Sequence, residues 1–240
     1  MRIVFIGTSH GVPEANKCCS CTMIEVGDSR YIIDMGTNAI EELRTRNLDI
    51  DSVKGIFVTH MHGDHTNGLI SYIDLISWYF KTADPVICLP DISAVGAIRS
   101  WLEVTGTKMR ELQFREVAEG VVYADENIKV TAYLTQHCKN SYAYLIEAEG
   151  KRILFTGDLS GKGPDNDFPR QVIEKETDLV ICESAHFPAT AYKDIFLAGK
   201  VKKICYNHCA PWNIPNIQTM MREMTPIPVL LASDGTEINL

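Results

Sequence analysis

The hexapeptide His60-Met61-His62-Gly63-Asp64-His65 restricts this chain more than any other feature. It packs four potential metal ligands into six residues, directly after the apolar run Gly55-Ile56-Phe57-Val58-Thr59. That run predicts a buried strand. The spacing predicts a strand that ends in a tight turn, with Asp64 and His65 opening the next helix. Neither a straight strand nor a helix aims all four side chains at one point, whereas such a turn can. His60 and His62 point the same way while the backbone stays extended, and Gly63 supplies freedom between the two pairs. Three imidazoles packed together without a cation would bury lone pairs that have no partner, which is costly. The cluster therefore points to a metal.

The surrounding chain sets the scale of the fold. Its 240 residues suit one large α/β domain or two small ones, and 45% hydrophobic with 22% charged residues is an ordinary globular balance with ample core. No apolar run reaches the length of a membrane span. The opening Met1-Arg2-Ile3-Val4-Phe5-Ile6-Gly7 is too short for a signal peptide and reads as a first strand. A cytoplasmic protein is expected, with its eight Cys mostly reduced. A net charge of −8 argues against a broad nucleic-acid surface. It leaves room for a small phosphate substrate, because bound cations supply local positive charge.

Strand-like runs are expected at Ile3–Ile6, Thr22–Val26, Tyr31–Asp34, Val86–Leu89, Leu179–Cys182, Lys203–Tyr206, Val229–Ala232 and Glu237–Leu240. Tyr142–Ala148 and Arg152–Phe155 read as a hairpin about Glu149-Gly150-Lys151. Helical spacing marks Asn38–Asn47, Asn67–Lys81, Asp91–Val104 and Ile214–Met224, with Gly106 just past the third. There is no repeat, low-complexity tract or linker.

The hexapeptide resembles the HxHxDH signature of the metallo-β-lactamase superfamily. Three later residues extend the resemblance in the family's order: His137 in Thr135-Gln136-His137, Asp158 in Phe155-Thr156-Gly157-Asp158, and His208 in Tyr206-Asn207-His208. The resemblance covers nearly the whole chain. It implies one domain over residues 1–240, an αβ/βα sandwich of two mixed sheets face to face with helices outside. Pattern alone gives only α/β or α+β. It also implies a ligand division. His60, His62 and His137 would hold one ion, Asp64, His65 and His208 the other, and Asp158 would bridge them. The N/O donor set suits Zn²⁺, Mn²⁺ or Fe²⁺. Two such ions about 3.5–4 Å apart share a water whose pKa falls towards ~7, so the expected chemistry is hydrolysis by metal-bound hydroxide.

The opening Gly7-Thr8-Ser9-His10-Gly11-Val12-Pro13 resembles the start of ribonuclease Z. Glu183-Ser184-Ala185-His186 resembles a segment of the phosphoribosyl cyclic phosphodiesterase, in which the His protonates the leaving alkoxide. Carried over, His186 is the general acid, and with the ligand Asp64 it forms the expected catalytic pair. A capping role after the strand is the competing reading of His186, and Glu183 is a candidate to orient a ligand His. Only 20 residues separate His137 from Asp158, where ribonuclease Z usually carries its tRNA-clasping arm. With the acidic charge, this argues against tRNA and for a small or cyclic phosphodiester, with a homodimer left open. Glyoxalase II is disfavoured because only 32 residues follow His208, too few for its helical extension. The alternatives are a lactone or thioester hydrolase of the same fold, a ribonuclease, or a non-catalytic metal-bound sensor.

Cys18-x-x-Cys21, within Cys18-Cys19-Ser20-Cys21, has metal-ligand spacing, with His10 a guess at a further donor. Its departure from the Cys-x-Cys-x-x-Cys pattern of relatives favours reduced thiols in a loop. Cys138 and Cys209 read as packing residues, Met220, Met221 and Met224 as core, and Trp212 and Tyr192 as lining either the substrate mouth or the domain edge.

Overall fold

The computed structural model describes residues 1–161 and 167–240. Its first half runs β1 (Arg2–Gly7), β2 (Cys21–Val26), β3 (Ser29–Met35), α1 (Ile40–Thr45), β4 (Val53–Phe57), α2 (Gly63–Trp78), β5 (Val86–Leu89), α3 (Ala94–Thr105) and β6 (Gln113–Glu116). The second half runs β7 (Gly120–Ala124), β8 (Lys129–Thr135), β9 (Ser141–Ala148), β10 (Lys151–Phe155), α4 (Arg170–Ile173), β11 (Leu179–Ser184), α5 (Lys193–Ala198), β12 (Ile204–Cys209), α6 (Ile214–Glu223), β13 (Val229–Leu231) and β14 (Glu237–Asn239).

Two seven-stranded mixed sheets result, in the orders β14-β1-β2-β3-β4-β5-β6 and β13-β12-β11-β10-β9-β8-β7. The last strand therefore returns to the first, pairing antiparallel with β1. Most central strands are buried on both faces, and alternation divides their side chains between layers. Ile3, Phe5, Tyr31 and Phe57 of the first sheet meet Val130, Tyr144, Ile153 and Phe155 of the second in the middle layer. Val4, Ile32 and Ile56 point the other way, under Leu69, Tyr72, Ile73 and Leu102 of α2 and α3. Leu145, Val180 and Tyr206 do the same beneath Phe196, Ile217 and Met220 of α5 and α6. This is the αβ/βα sandwich. Among the described residues no helix is long and apolar enough to cross a membrane.

The hairpin turns at Glu149 (φ 50°) and Gly150 (φ 72°), the two left-handed residues a two-residue turn requires. Gly106, at φ 91°, ends α3. The differences from expectation are local. The strand before the hexapeptide is Val53–Phe57, two residues earlier than its apolar run suggests, because Val58 and Thr59 leave the ladder to bridge the sheets. The next helix opens at Gly63 and ends at Trp78, four residues ahead of the Asn67 start that periodicity marks. Gly63 is thus a first-turn helical residue. Met220 and Met224 are core, but Met221 is 43% exposed on the outer face of α6. Tyr192 is buried against Phe168, Phe187 and Phe196 rather than at a mouth.

Candidate metal centre

The seven candidate ligands leave the sheets at one rim. His60 and His62 follow β4, Asp64 and His65 lie in the first turn of α2, His137 follows β8, Asp158 follows β10, and His208 lies within β12. The segment after β4 is held straight by both sheets. Val58 N–H donates to Cys88 O (3.1 Å), Tyr142 N–H donates to Thr59 O (2.9 Å), and the Tyr144 hydroxyl donates to Val58 O (2.7 Å). Two glycines make the crowding possible. A Cβ on Gly36 would lie 1.7 Å from Asp64 O, and one on Gly157, already at φ +58°, would lie 2.9 Å from both Thr59 Cβ and Tyr142 O.

The donors form two groups that meet at Asp158. In the open group, His62 Nδ1 lies 3.0 Å from His60 Nε2 and 3.2 Å from His137 Nε2. Nitrogens bound at ~2.0–2.1 Å to one tetrahedral ion lie about 3.3 Å apart, so this set is close to ligand geometry. In the inner group, Asp64 Oδ2 lies 3.3 Å from His65 Nε2 and 3.6 Å from His208 Nε2. Asp158 reaches both: its oxygens lie 3.7 Å from His60, 3.6 Å from His137, 3.5 Å from His65 and 3.4 Å from His208.

Three atoms at this meeting point test whether a cation fits. His65 Nε2, His208 Nε2 and Asp158 Oδ1 are buried and lack any hydrogen-bond partner. Buried polar atoms are rarely left so, and all three are good divalent-metal donors. The residues fit.

Electrostatics agree. Burial alone would raise the Asp158 carboxyl, but His208 and His65 hold it well below the usual carboxylate range. Burial alone would lower His65 and His208, yet both are raised, His65 by Asp158 and Asp34 and His208 chiefly by Asp158. His60, buried and beside His65, is pushed down to about 2. Without a cation, protons must serve as counter-ions to the carboxylates, and a metal would replace them.

Carboxylates behind the ligands do the aiming, and sequence reasoning found only one of them. Asp34, at φ 57°, accepts from Thr59 N–H (2.7 Å) and Thr59 Oγ1, and lies 2.8 Å from His65 Nδ1. This fixes His65 Nε2 as the ligand nitrogen. Asp167 accepts from Gln136 N–H (2.6 Å) and Ser160 N–H (3.0 Å), tying the His137 turn to the residues after Asp158. Glu183, the one foreseen, accepts from Leu159 N–H (2.7 Å) and Ala185 N–H (2.8 Å) and lies 2.9 Å from His186 Nδ1. Its partner is His186 rather than a member of either group. An Asp at the end of a strand, before Met35-Gly36, was the available signal for Asp34; nothing in the sequence marked Asp167.

The His186 side chain is 38% exposed, its ring lies tilted against His137 at 4.5 Å between centroids, and its Nδ1 is 3.8 Å from Asp158 Oδ2. The Glu183 hydrogen bond raises it to about 8. His137, Asp158 and His186 also form a possible ligand triplet. Trp212, 68% exposed, stands at the rim against His10, with centroids 5.5 Å apart. Among the described residues the possible metal-holding groups contain only His and Asp, so Cys18, Cys19 and Cys21 form none.

Residues 1–188 match the family model described as "Anti-Pycsar protein Apyc1". The ribonuclease Z of Listeria innocua is 28% identical over 156 residues, which is 63% of this chain and 51% of the relative. The chain thus spans about half the length of the curated relatives it matches. Among solved structures, the short form of human tRNase Z superposes with a TM-score of 0.79 at 20% identity, covering 100% of this chain and 99% of that one. A diphosphatase of the PhnP family superposes with a TM-score of 0.70 at 15% identity, covering 100% and 97%. The superpositions show the metallo-β-lactamase fold, and the sequence likeness is to ribonuclease Z.

Proposed function

The chain belongs to the family of the anti-Pycsar protein Apyc1, within the metallo-β-lactamase superfamily, and on that premise we propose that it is a two-metal hydrolase of small or cyclic phosphodiesters. One observation carries the reading: a protonatable His186, its Nδ1 braced by buried Glu183 at 2.9 Å, stands beside the carboxylate shared by both donor groups, with that Nδ1 3.8 Å from Asp158 Oδ2. An alkoxide is a poor leaving group and needs a proton as the P–O bond breaks; a thioester or activated acyl leaving group needs it less.

His60, His62 and His137 would hold one divalent cation, and Asp64, His65 and His208 a second, with Asp158 between them. Such a pair supplies an activated water and polarises phosphoryl oxygens. The protein does the rest. Asp34 and Ser9 O fix the outward nitrogens of His65 and His208. Glu183 occupies His186 Nδ1 and leaves Nε2 as the proton donor. As water oxygen bonds to phosphorus and the ester P–O bond breaks, the Nε2 proton passes to the departing oxygen. Glu183 stabilises the charged imidazole before transfer.

Ribonuclease action is the second reading, favoured by the curated relatives named ribonuclease Z. Against it, residues between His137 and Asp158 form only the hairpin of β9 and β10, with no room for a projecting arm. A side-by-side assay of a small cyclic phosphodiester, bis(p-nitrophenyl) phosphate, a lactone, a thioester and precursor tRNA tests the proposal. Preferred turnover of the small diesters is expected. Preferred cleavage of tRNA would replace it with the ribonuclease reading.

A further inference from the structure

The loop from Thr8 to Cys18 is shut at its base by one carboxylate. Asp234 Oδ1 accepts from Thr8 N–H (2.9 Å) and Thr8 Oγ1–H (2.6 Å), and Oδ2 accepts from Cys18 N–H (2.6 Å). Ser9 N–H donates to Cys18 O (2.9 Å) across the same neck. Asp234 itself is firmly placed. Its turn is bound to β1 through Phe5 N–H to Thr236 O (3.0 Å) and Gly235 N–H to Phe5 O (2.8 Å). Residues at both ends of the chain thus meet at this carboxylate.

Beyond the neck, Ser9 and His10 are buried, Glu14 N–H donates to Ser9 Oγ (3.0 Å), and Lys17 pairs with Glu14, so only the tip is open. Gly11, Val12, Pro13, Ala15 and Asn16 are exposed, and Asn16 sits at φ 62°. An exposed tip takes its order from the anchored base beneath it. Yet this loop reaches the metal centre. Ser9 O accepts from His208 Nδ1 (2.9 Å), and the Cβ position of Gly11 is 3.3 Å from Asp64 Oδ2. His208 and Asp64 belong to the inner donor group. Among the described residues, the loop makes no hydrogen bond to His60, His62 or His137.

We propose that Asp234 is a positioning residue for the inner cation: by stapling the 8–18 loop, it holds Ser9 O against His208 and so sets that ion's affinity without affecting the other's. The proposal rests on the two-metal reading above. A ligand imidazole whose second nitrogen loses its acceptor typically loses 10–100-fold in metal affinity.

Titration of the purified protein with Mn²⁺, followed by calorimetry and by the spin-coupling signature of paired Mn²⁺, tests this. Wild type should take up two ions. Asp234→Asn should weaken the inner ion by roughly tenfold or more and keep the other ion's affinity within about twofold, so that one equivalent gives an uncoupled signal. Thr8→Val, which removes one of the three bonds and keeps the staple, should weaken the inner ion only by about threefold. It serves if Asp234→Asn does not fold. Equal weakening of both ions would mark a merely structural role and overturn the proposal, as would unchanged affinities in both variants. A wild type that binds one ion only would overturn the two-metal reading and this proposal together; two ions in wild type with no selective loss would overturn this proposal alone.

Discussion

The two donor groups at the rim are built differently. In the inner group, His65 and His208 are almost wholly buried, and each has its second nitrogen on a fixed acceptor, Asp34 at 2.8 Å and Ser9 O at 2.9 Å. In the open group, His62 is exposed, His137 is half-buried, and among the described residues the ring contacts of both are with other imidazoles. Among the described residues, only His60 of this group, with Nδ1 3.1 Å from Thr59 Oγ1, has a partner behind it. The inner half is thus held by more contacts to the protein behind its ligands than the open half is. Both conformationally costly non-glycine residues near the centre, Asp34 at φ 57° and His208 at φ 52°, serve the inner half. Strain is tolerated where surrounding structure over-determines it.

Replacing the shared carboxylate should erase the contrast. Asp158→Asn should bind neither ion properly and lose at least about 10³-fold in kcat, measured by metal analysis and diester turnover. His186→Ala should leave both halves loaded and reduce kcat by about 10²–10³-fold. Loss of metal in that variant would move His186 from the acid role to ligation. Asp34→Asn sharpens the comparison: the inner ion should weaken by about 10–100-fold, and thermal unfolding should show a cost of about 1–3 kcal/mol for the disturbed buried acceptor, while the open group keeps its ion.

The smallest effect concerns pH. His186 is raised from 6.5 to about 8, so its protonated form is complete below 6.5 and lost as pH rises through about 8. The alkaline limb of kcat should fall near that value. In Glu183→Gln it should move down, because the bond that raises the imidazole loses its charge. A pH–rate profile of both proteins checks the shift, and an unmoved limb would separate His186 from the proton transfer.

Much of this was legible in the chain because ligand residues are few and their order is distinctive. The hexapeptide, His137 and Asp158 each follow an apolar strand, His208 lies near the end of one, and the structure gathers all of them. The aiming residues were harder to see. Asp34, Asp167 and Asp234 act on backbone N–H groups far away in sequence, and an acceptor for a distant amide has no local pattern. Ser9 contributes only its carbonyl oxygen, which every residue possesses. The helix α2 began early because Gly63 and Asp64 continue it from the metal turn, where periodicity of apolar residues has not yet started. Short α4 and α5 carried too few turns to show a period.

Anomalous diffraction from crystals of the Mn²⁺- or Zn²⁺-loaded protein tests the central claim most directly. Two peaks about 3.5–4 Å apart, one among His60, His62 and His137 and the other among Asp64, His65 and His208, with Asp158 between them, are the expected result. A single peak, or ions bound away from Asp158, would contradict the account.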